Sequence, residues 1–304
     1  MTRAMALVHK IVQGKSADAM IYEYERLIES GTLHMEKPPH QNTLTEWMND
    51  ERLTPILHEF LRITSLPFRA REIAAIIDSS KVSQLRNAHY QSVEYDGDER
   101  PGADWMKCHA LVGVETMVVM AVAFSGSVNK GTHDINFVKP LMTEALKTFP
   151  LQFMLGDKAY LKEDILTWLW DQSIKAVIPV KKRWFRDEKK AYHESVMELV
   201  KWFDQDNGRI FHQFYRLRPK IEAFFSLLKR SNQEHCWSRG RRSNTARNAE
   251  TPCTAWINET LCKFIYMNLR TTHTLEKETG YKIDYSYPER HFCPPSDPLI
   301  LRAA

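Results

Sequence analysis

Tyr215 to Lys229 reads YRLRPKIEAFFSLLK, and its spacing sorts side chains by chemistry. On a helix advancing about 100° per residue, Leu217, Ile221, Phe224 and Leu228 form one apolar stripe, the face that packs into a core. Arg218, Glu222 and Lys229 fall together about 120° away, and Tyr215, extrapolated one turn earlier, points the same way. A carboxylate is thereby held among two cations and a phenol on the open side of a buried helix. Arg218 and Glu222 are also an i, i+4 pair of the kind that decorates helix surfaces, although Arg before Glu is the weaker order. Charge is concentrated around them. Arg216 to Arg247 carries nine basic residues against two acidic ones, +7 in a chain of net charge +4, which leaves −3 for the remainder. Such a segment is what a polyanion-binding surface requires; a solvated basic helix and loop has the same composition.

The elements that must position this segment follow from periodicity and punctuation. Up to about Pro67 the pattern is helical. Ala17 to Ser30 has helical spacing ended by Gly31 and Pro38-Pro39, Thr43 with Glu46 forms a capping box, and Thr54-Pro55 opens a helix over Ile56 to Ile63. Trp47 and Leu57 are the expected core of that unit. Beyond Pro67 the pattern turns to strands. Ile73 to Ile77 is a continuous apolar run ending in Asp78, as expected of a strand buried on both faces. An irregular acidic stretch, Glu94 to Asp104, precedes strands over Lys107 to Val114 and Thr116 to Ser125. Thr132-His133-Asp134 caps a helix running to about Leu146, with His133 a helper in the cap. Leu151 to Leu155 is a further buried strand that delivers Gly156-Asp157, followed by a helix over Glu163 to Gln172 and a short strand over Ala176 to Pro179. Trp184 and Phe185 read as packing aromatics in a charged surface element, and Asp204 to Gly208 as a tight turn. Meander strands followed by alternating strands and helices make a mixed α/β sheet the expected fold class.

The spacing Y-x-x-R-x-x-x-E-x-x-x-x-x-x-K, met by Tyr215, Arg218, Glu222 and Lys229, resembles the Y-R-E-K signature of bacterial insertion-sequence DDE transposases. Asp78 at the end of the first core strand and Gly156-Asp157-Lys158-Ala159-Tyr160 are similar to the same family's two aspartate motifs. Trp105-x-Lys107-x-His109, Thr132-His133-Asp134, Asn258-Glu259-x-x-Cys262-Lys263 and Asn268-Leu269 also look like its landmarks. The resemblance covers about Leu44 to Leu269. It implies a ribonuclease H-like mixed sheet flanked by helices, the two aspartates on neighbouring strands and the glutamate helix beside them. The implied chemistry is metal-dependent DNA cleavage and strand transfer. Asp78, Asp157 and Glu222 would hold two Mg²⁺ ions, with Mn²⁺ as a substitute, because in-line attack on a phosphodiester needs charge neutralised on the entering and leaving oxygens. Arg218 and Lys229 would hold phosphates, Tyr215 would add a hydrogen bond or a stacking surface, and Arg239, Arg241 and Arg242 would track the DNA backbone. Lys107 and His109 alternate on one strand face and can both point to the cleft, while His109 also suits a satisfied strand histidine. The implied partners are double-stranded DNA, as terminal inverted repeats and target, and a second copy of the chain on that DNA.

Domain boundaries are expected at 1–67 for a small N-terminal helical region, 68–275 for the catalytic domain and 276–304 for a tail. Asp78-Ser79-Ser80 departs from the Gly-Thr more usual after the first aspartate of the family. The N-terminal region is short beside the longer helical regions with which relatives recognise their ends, so a truncated copy impaired in end recognition is one expectation. Two rivals stand beside the transposase: a nuclease of the same fold without strand transfer, and a non-catalytic DNA-binding descendant. The 304 residues, 43% hydrophobic and 26% charged, exclude disordered and fibrous classes. Five cysteines without a C-x-x-C pair argue against a disulfide framework and a structural zinc site. A first segment broken by His9 and Lys10 argues against a secretory signal, and Leu111 to Phe124 is too short and charged for a membrane span, so a cytoplasmic protein is expected.

Overall fold

A computed structural model describes residues 2–84, 91–95, 98–102, 105–126, 133–180, 192–229, 235–236, 238, 253–280 and 282–283. Helices α1 (Thr2–Gln13), α2 (Ala17–Glu29), α3 (Gln41–Met48) and α4 (Leu53–Ser65) open the chain. Ser16 caps α2 by accepting the Ala19 N–H at 3.3 Å. The next helix starts two residues before the expected Thr43, because the His40 ring accepts the Asn42 N–H at 3.2 Å and so takes the capping position itself. Thr54, expected to cap α4, instead donates its hydroxyl to Asn258 Oδ1 at 2.7 Å, and the helix begins at Leu53. Leu57 is fully buried, whereas Trp47 is half-buried with the Arg3 guanidinium 5.4 Å over its ring.

The sheet starts with β1 (Ala74–Gln84), which runs through Asp78 instead of ending there. The cause is its partner: β4 (Trp105–Gly113) pairs antiparallel along that length, from Ala75 opposite Gly113 to Ser83 opposite Trp105. Between them, β2 (Gln91–Tyr95) and β3 (Asp98–Gly102) form a hairpin where an irregular stretch is expected. The hairpin signal in the sequence is Asp96-Gly97 between the two strands, a pair that lies outside the described residues. β5 (Val119–Ser125) pairs antiparallel with β4; β6 (Phe153–Leu155) and β7 (Lys175–Val177) extend the other side in parallel. The order is β5-β4-β1-β6-β7, with β8 (His235–Cys236) added parallel to the far end of β1. This mixed sheet, five strands in a row with a short sixth beside β1, flanked by helices, is the mixed α/β class expected from the sequence.

Helices α5 (Val138–Leu146), α6 (Glu163–Asp171), α7 (Glu194–Asp204), α8 (Arg209–Tyr215), α9 (Pro219–Leu228) and α10 (Thr254–Thr279) complete the described fold. One core runs from Leu7 of α1 through Ile76 of β1 to Phe264 of α10, so the N-terminal helices share their apolar interior with the sheet. α10 continues past the expected start of a tail at 276 and is closed by Gly280 at φ +70°, a left-handed conformation that suits glycine. Among the described residues no helix is long and apolar enough to cross a membrane. The described cysteines Cys108, Cys236, Cys253 and Cys262 are free.

Candidate active site

Two parallel strands place two aspartates side by side. Ile76 of β1 stands opposite Leu155 of β6, and two residues further along each chain are Asp78 and Asp157. Asp157 lies where β6 gives way to a short helical turn over Lys158–Tyr160, and its Oδ1 accepts the Ala159 N–H at 2.8 Å. Packing around Gly156 is tight. A Cβ at that position would meet the Tyr160 ring at 3.1 Å and the Ile77 side chain at 3.3 Å. Tyr160 and Ile77 are buried and cannot give way cheaply.

The third acid arrives on a helix that differs from the continuous one expected over Tyr215 to Lys229. The chain turns between α8 and α9, with Pro219 at the first helical position of α9, where its missing N–H costs no hydrogen bond. Ile221, Phe224, Phe225 and Leu228 are buried, with Leu217 packed against the same core, so the apolar stripe is as read from the spacing and Phe225 widens it. Arg218 takes the position just before α9 and reaches Asp78, and Glu222 lies in the first turn, off the buried stripe.

Arg218 links the three acids. Its Nη2 lies 3.1 Å from Asp78 Oδ2 and 4.0 Å from Asp157 Oδ2, and its Nη1 donates to Glu222 Oε1. The Arg218 side chain is 17% exposed and that of Glu222 58%, so the cluster opens to solvent on the helix side. Burial raises the Asp78 carboxyl above its ordinary pKa, against the pull of the Ser79 N–H and Arg218. Tyr215, at the end of α8, belongs to the same neighbourhood: burial raises its phenol, Arg218 draws it down, and Asp157 and Glu222 push it up. Among the described residues no three His, Cys, Asp or Glu side chains form a ready metal cage by themselves. The guanidinium stands where the carboxylates converge. The donor set is nonetheless all carboxylate oxygen, which suits hard divalent cations.

Other residues singled out by the sequence lie elsewhere. Lys229 closes the far end of α9 and lines a small groove with Ser80, Lys81, Val82, Phe225 and Lys263. Arg239, Arg241, Arg242, Thr132, Trp184 and Phe185 lie outside the described residues. Lys107 and His109 pair with Asp134, at 2.6 Å and 3.2 Å, and Asp134 in turn lies close enough to Asp78 to push its carboxyl up. His109 is fully buried, its Nε2 bonded to Ser125 at 2.9 Å and its ring stacked on Phe137 at 3.7 Å, while its Nδ1 faces Asp134 without a hydrogen bond among the described residues. His133 holds the capping position before Asp134, but its side chain makes no cap bond. Asp134 itself was legible only as part of a helix start. Its role as the partner of Lys107 and His109 depends on strand pairing that brings Ser79 opposite His109.

Two aspartates on neighbouring strands and a glutamate on the helix beside them thus meet at one guanidinium, and comparison with known proteins gives the family of the domain that carries them. A family model described as Transposase DDE domain matches residues 69–255, more than half of the chain, and the chain belongs to that family. No curated protein matches the sequence. A cryo-electron microscopy structure of the piggyBac transposase synaptic complex with hairpin DNA is similar at 11% identity and a TM-score of 0.37, covering 99% of this chain and 70% of that one. That likeness is too distant to bear on mechanism.

Proposed function

We propose that this chain is a transposase that cuts DNA at the ends of its element and joins the released 3′-hydroxyl to target DNA. The observation carrying this reading is the convergence of Asp78, Asp157 and Glu222, from two strands and a helix, on one guanidinium. These three side chains would hold the divalent ions, Mg²⁺ or in its place Mn²⁺. Bound there, the ions would neutralise charge on the entering and leaving oxygens of an in-line displacement.

The chain's own residues orient the DNA. Arg218 offers a planar fork suited to a phosphate, and Tyr215 beside it offers a phenol and a ring face. Lys229, about 16 Å along the axis from Arg218 at 1.5 Å per residue, would take a phosphate further along the strand. Arg239, Arg241 and Arg242 would neutralise backbone charge without reading sequence. Both ends of an element must be cut, which makes a homodimer on DNA the working assembly.

The test is purified protein with Mg²⁺ and a duplex carrying the inverted repeats that flank its gene. Nicking at the repeat boundary and a joined product are expected, and Asp78→Asn, Asp157→Asn or Glu222→Gln should abolish both while the DNA remains bound. Unchanged cleavage in those variants would remove the assignment. Cleavage without any joined product would reduce it to a nuclease of the same fold.

A further inference from the structure

Three carboxylates and one guanidinium occupy a space that a divalent ion would also need. Among the described residues Arg218 is the cation within ion-pair distance of Asp78, Asp157 and Glu222. Two other nearby cations are engaged elsewhere, Lys107 with Asp134 at 2.6 Å and Lys220 with the Val114 carbonyl at 2.8 Å. Arg218 and a divalent ion repel each other and cannot both stand where the acids converge. The ion pairs also leave the guanidinium incompletely satisfied: its Nε–H is buried and has no partner among the described residues. A buried donor without an acceptor is costly, and a phosphate oxygen is an acceptor of the right charge for it.

We propose that Arg218 is a positioning residue with two alternative partners. In the free protein it is the internal counter-ion of the three acids and competes with divalent cations. Arriving DNA offers it a phosphate, draws it out of the cluster, and so opens the cluster to metal. Metal loading and DNA binding are then coupled, each strengthening the other by the same factor. The inference rests on the reading of Asp78, Asp157 and Glu222 as metal ligands.

The measurement is Mn²⁺ binding to the full chain without DNA, followed by the loss of the free-ion paramagnetic resonance signal. Arg218→Gln should bind Mn²⁺ about ten-fold more tightly than the wild type, the usual scale of such coupling. Arg218→Lys, which keeps a positive charge in place, should remain nearer the wild type. Equal or weaker binding by Arg218→Gln overturns the proposal and leaves the metal-site reading standing. If Mn²⁺ binding is absent or unaffected by Asp157→Asn, even with duplex DNA present, the metal-site reading fails as well. Should Arg218→Gln not fold, the Arg218 Nε–H resonance of the wild type decides. It should move when Mg²⁺ is added together with duplex DNA, and an unmoved signal overturns the proposal.

Discussion

Asp134 shows how one half-buried acid is kept charged. Burial pushes its pKa up, but contacts with His109, Lys107 and Ser79 outweigh that and hold it at about 2. A carboxyl whose folded pKa lies below its unfolded value contributes stability above the unfolded pKa and loses it as pH falls toward the folded one. Asp134→Asn should therefore cost about 1–2 kcal/mol near neutral pH, after discounting for partial exposure. Urea unfolding should show that difference shrinking between about pH 4 and pH 2. A pH-independent difference would mean that the contacts act through packing and not through charge. Ser79, the departure from the family's usual residue after the first aspartate, bonds Asp134 through its side chain and Asp78 through its N–H, at 2.8 Å for the latter. The exchange therefore ties the candidate metal ligand to a buried polar cluster that the sequence pattern did not connect with it.

At the scale of elements, two junctions carry the site. The first is Gly156, where the turn after β6 must fit beneath Tyr160 and against Ile77. Gly156→Ala should destabilise the fold by about 1–3 kcal/mol through overpacking and, by shifting Asp157, weaken Mn²⁺ binding. Thermal unfolding and Mn²⁺ titration check the two effects separately. The second junction is Asn268 of α10, which closes the free edge of β5. Its Oδ1 accepts the Val119 N–H at 2.8 Å and its Nδ2 donates to the Val119 carbonyl at 3.1 Å, as a neighbouring strand would. Asn268→Ala strands both backbone groups in a buried place and should cost about 2–4 kcal/mol. Its effect belongs in the denaturation midpoint, with Mn²⁺ affinity of the folded fraction unchanged; the reverse pattern would place Asn268 in the site instead of the scaffold.

For the whole molecule, α10 joins the N-terminal helices, the sheet edge and Ser238 within the basic segment. Asn258 donates to the Met48 carbonyl at 2.9 Å. Glu259, paired with Lys263 at 2.9 Å, accepts the Ser238 N–H at 2.8 Å, and the Trp256 indole donates to the Ser238 carbonyl at 3.2 Å. The residue before Arg239 is thus pinned to the core. If the arginines that follow meet the DNA backbone, replacing Arg239, Arg241 and Arg242 together by Gln should flatten the salt dependence of duplex binding. The log–log slope should fall by about 3, close to one per lost phosphate contact. An unchanged slope would remove them from the interface.

Local patterns were sufficient for the apolar strand run into Asp78 and the buried stripe of α9, because strand and helix periodicities are properties of neighbouring residues. They did not reveal α10 as a central helix. Its interior carries Asn258, Glu259, Lys263 and Asn268, polar side chains whose partners lie far off in the chain, so no amphipathic pattern announces it. The break before Pro219, the continuation of β1 past Asp78 and the turning of Lys107 and His109 toward Asp134 were likewise decided by pairing and packing between distant segments. Residue types and spacing determined which acids and cations were available for the chemistry. Only the tertiary structure decided that Arg218 stands among all three acids, since that contact needs a β1–β6 register and a helix docking angle that no stretch of sequence encodes alone.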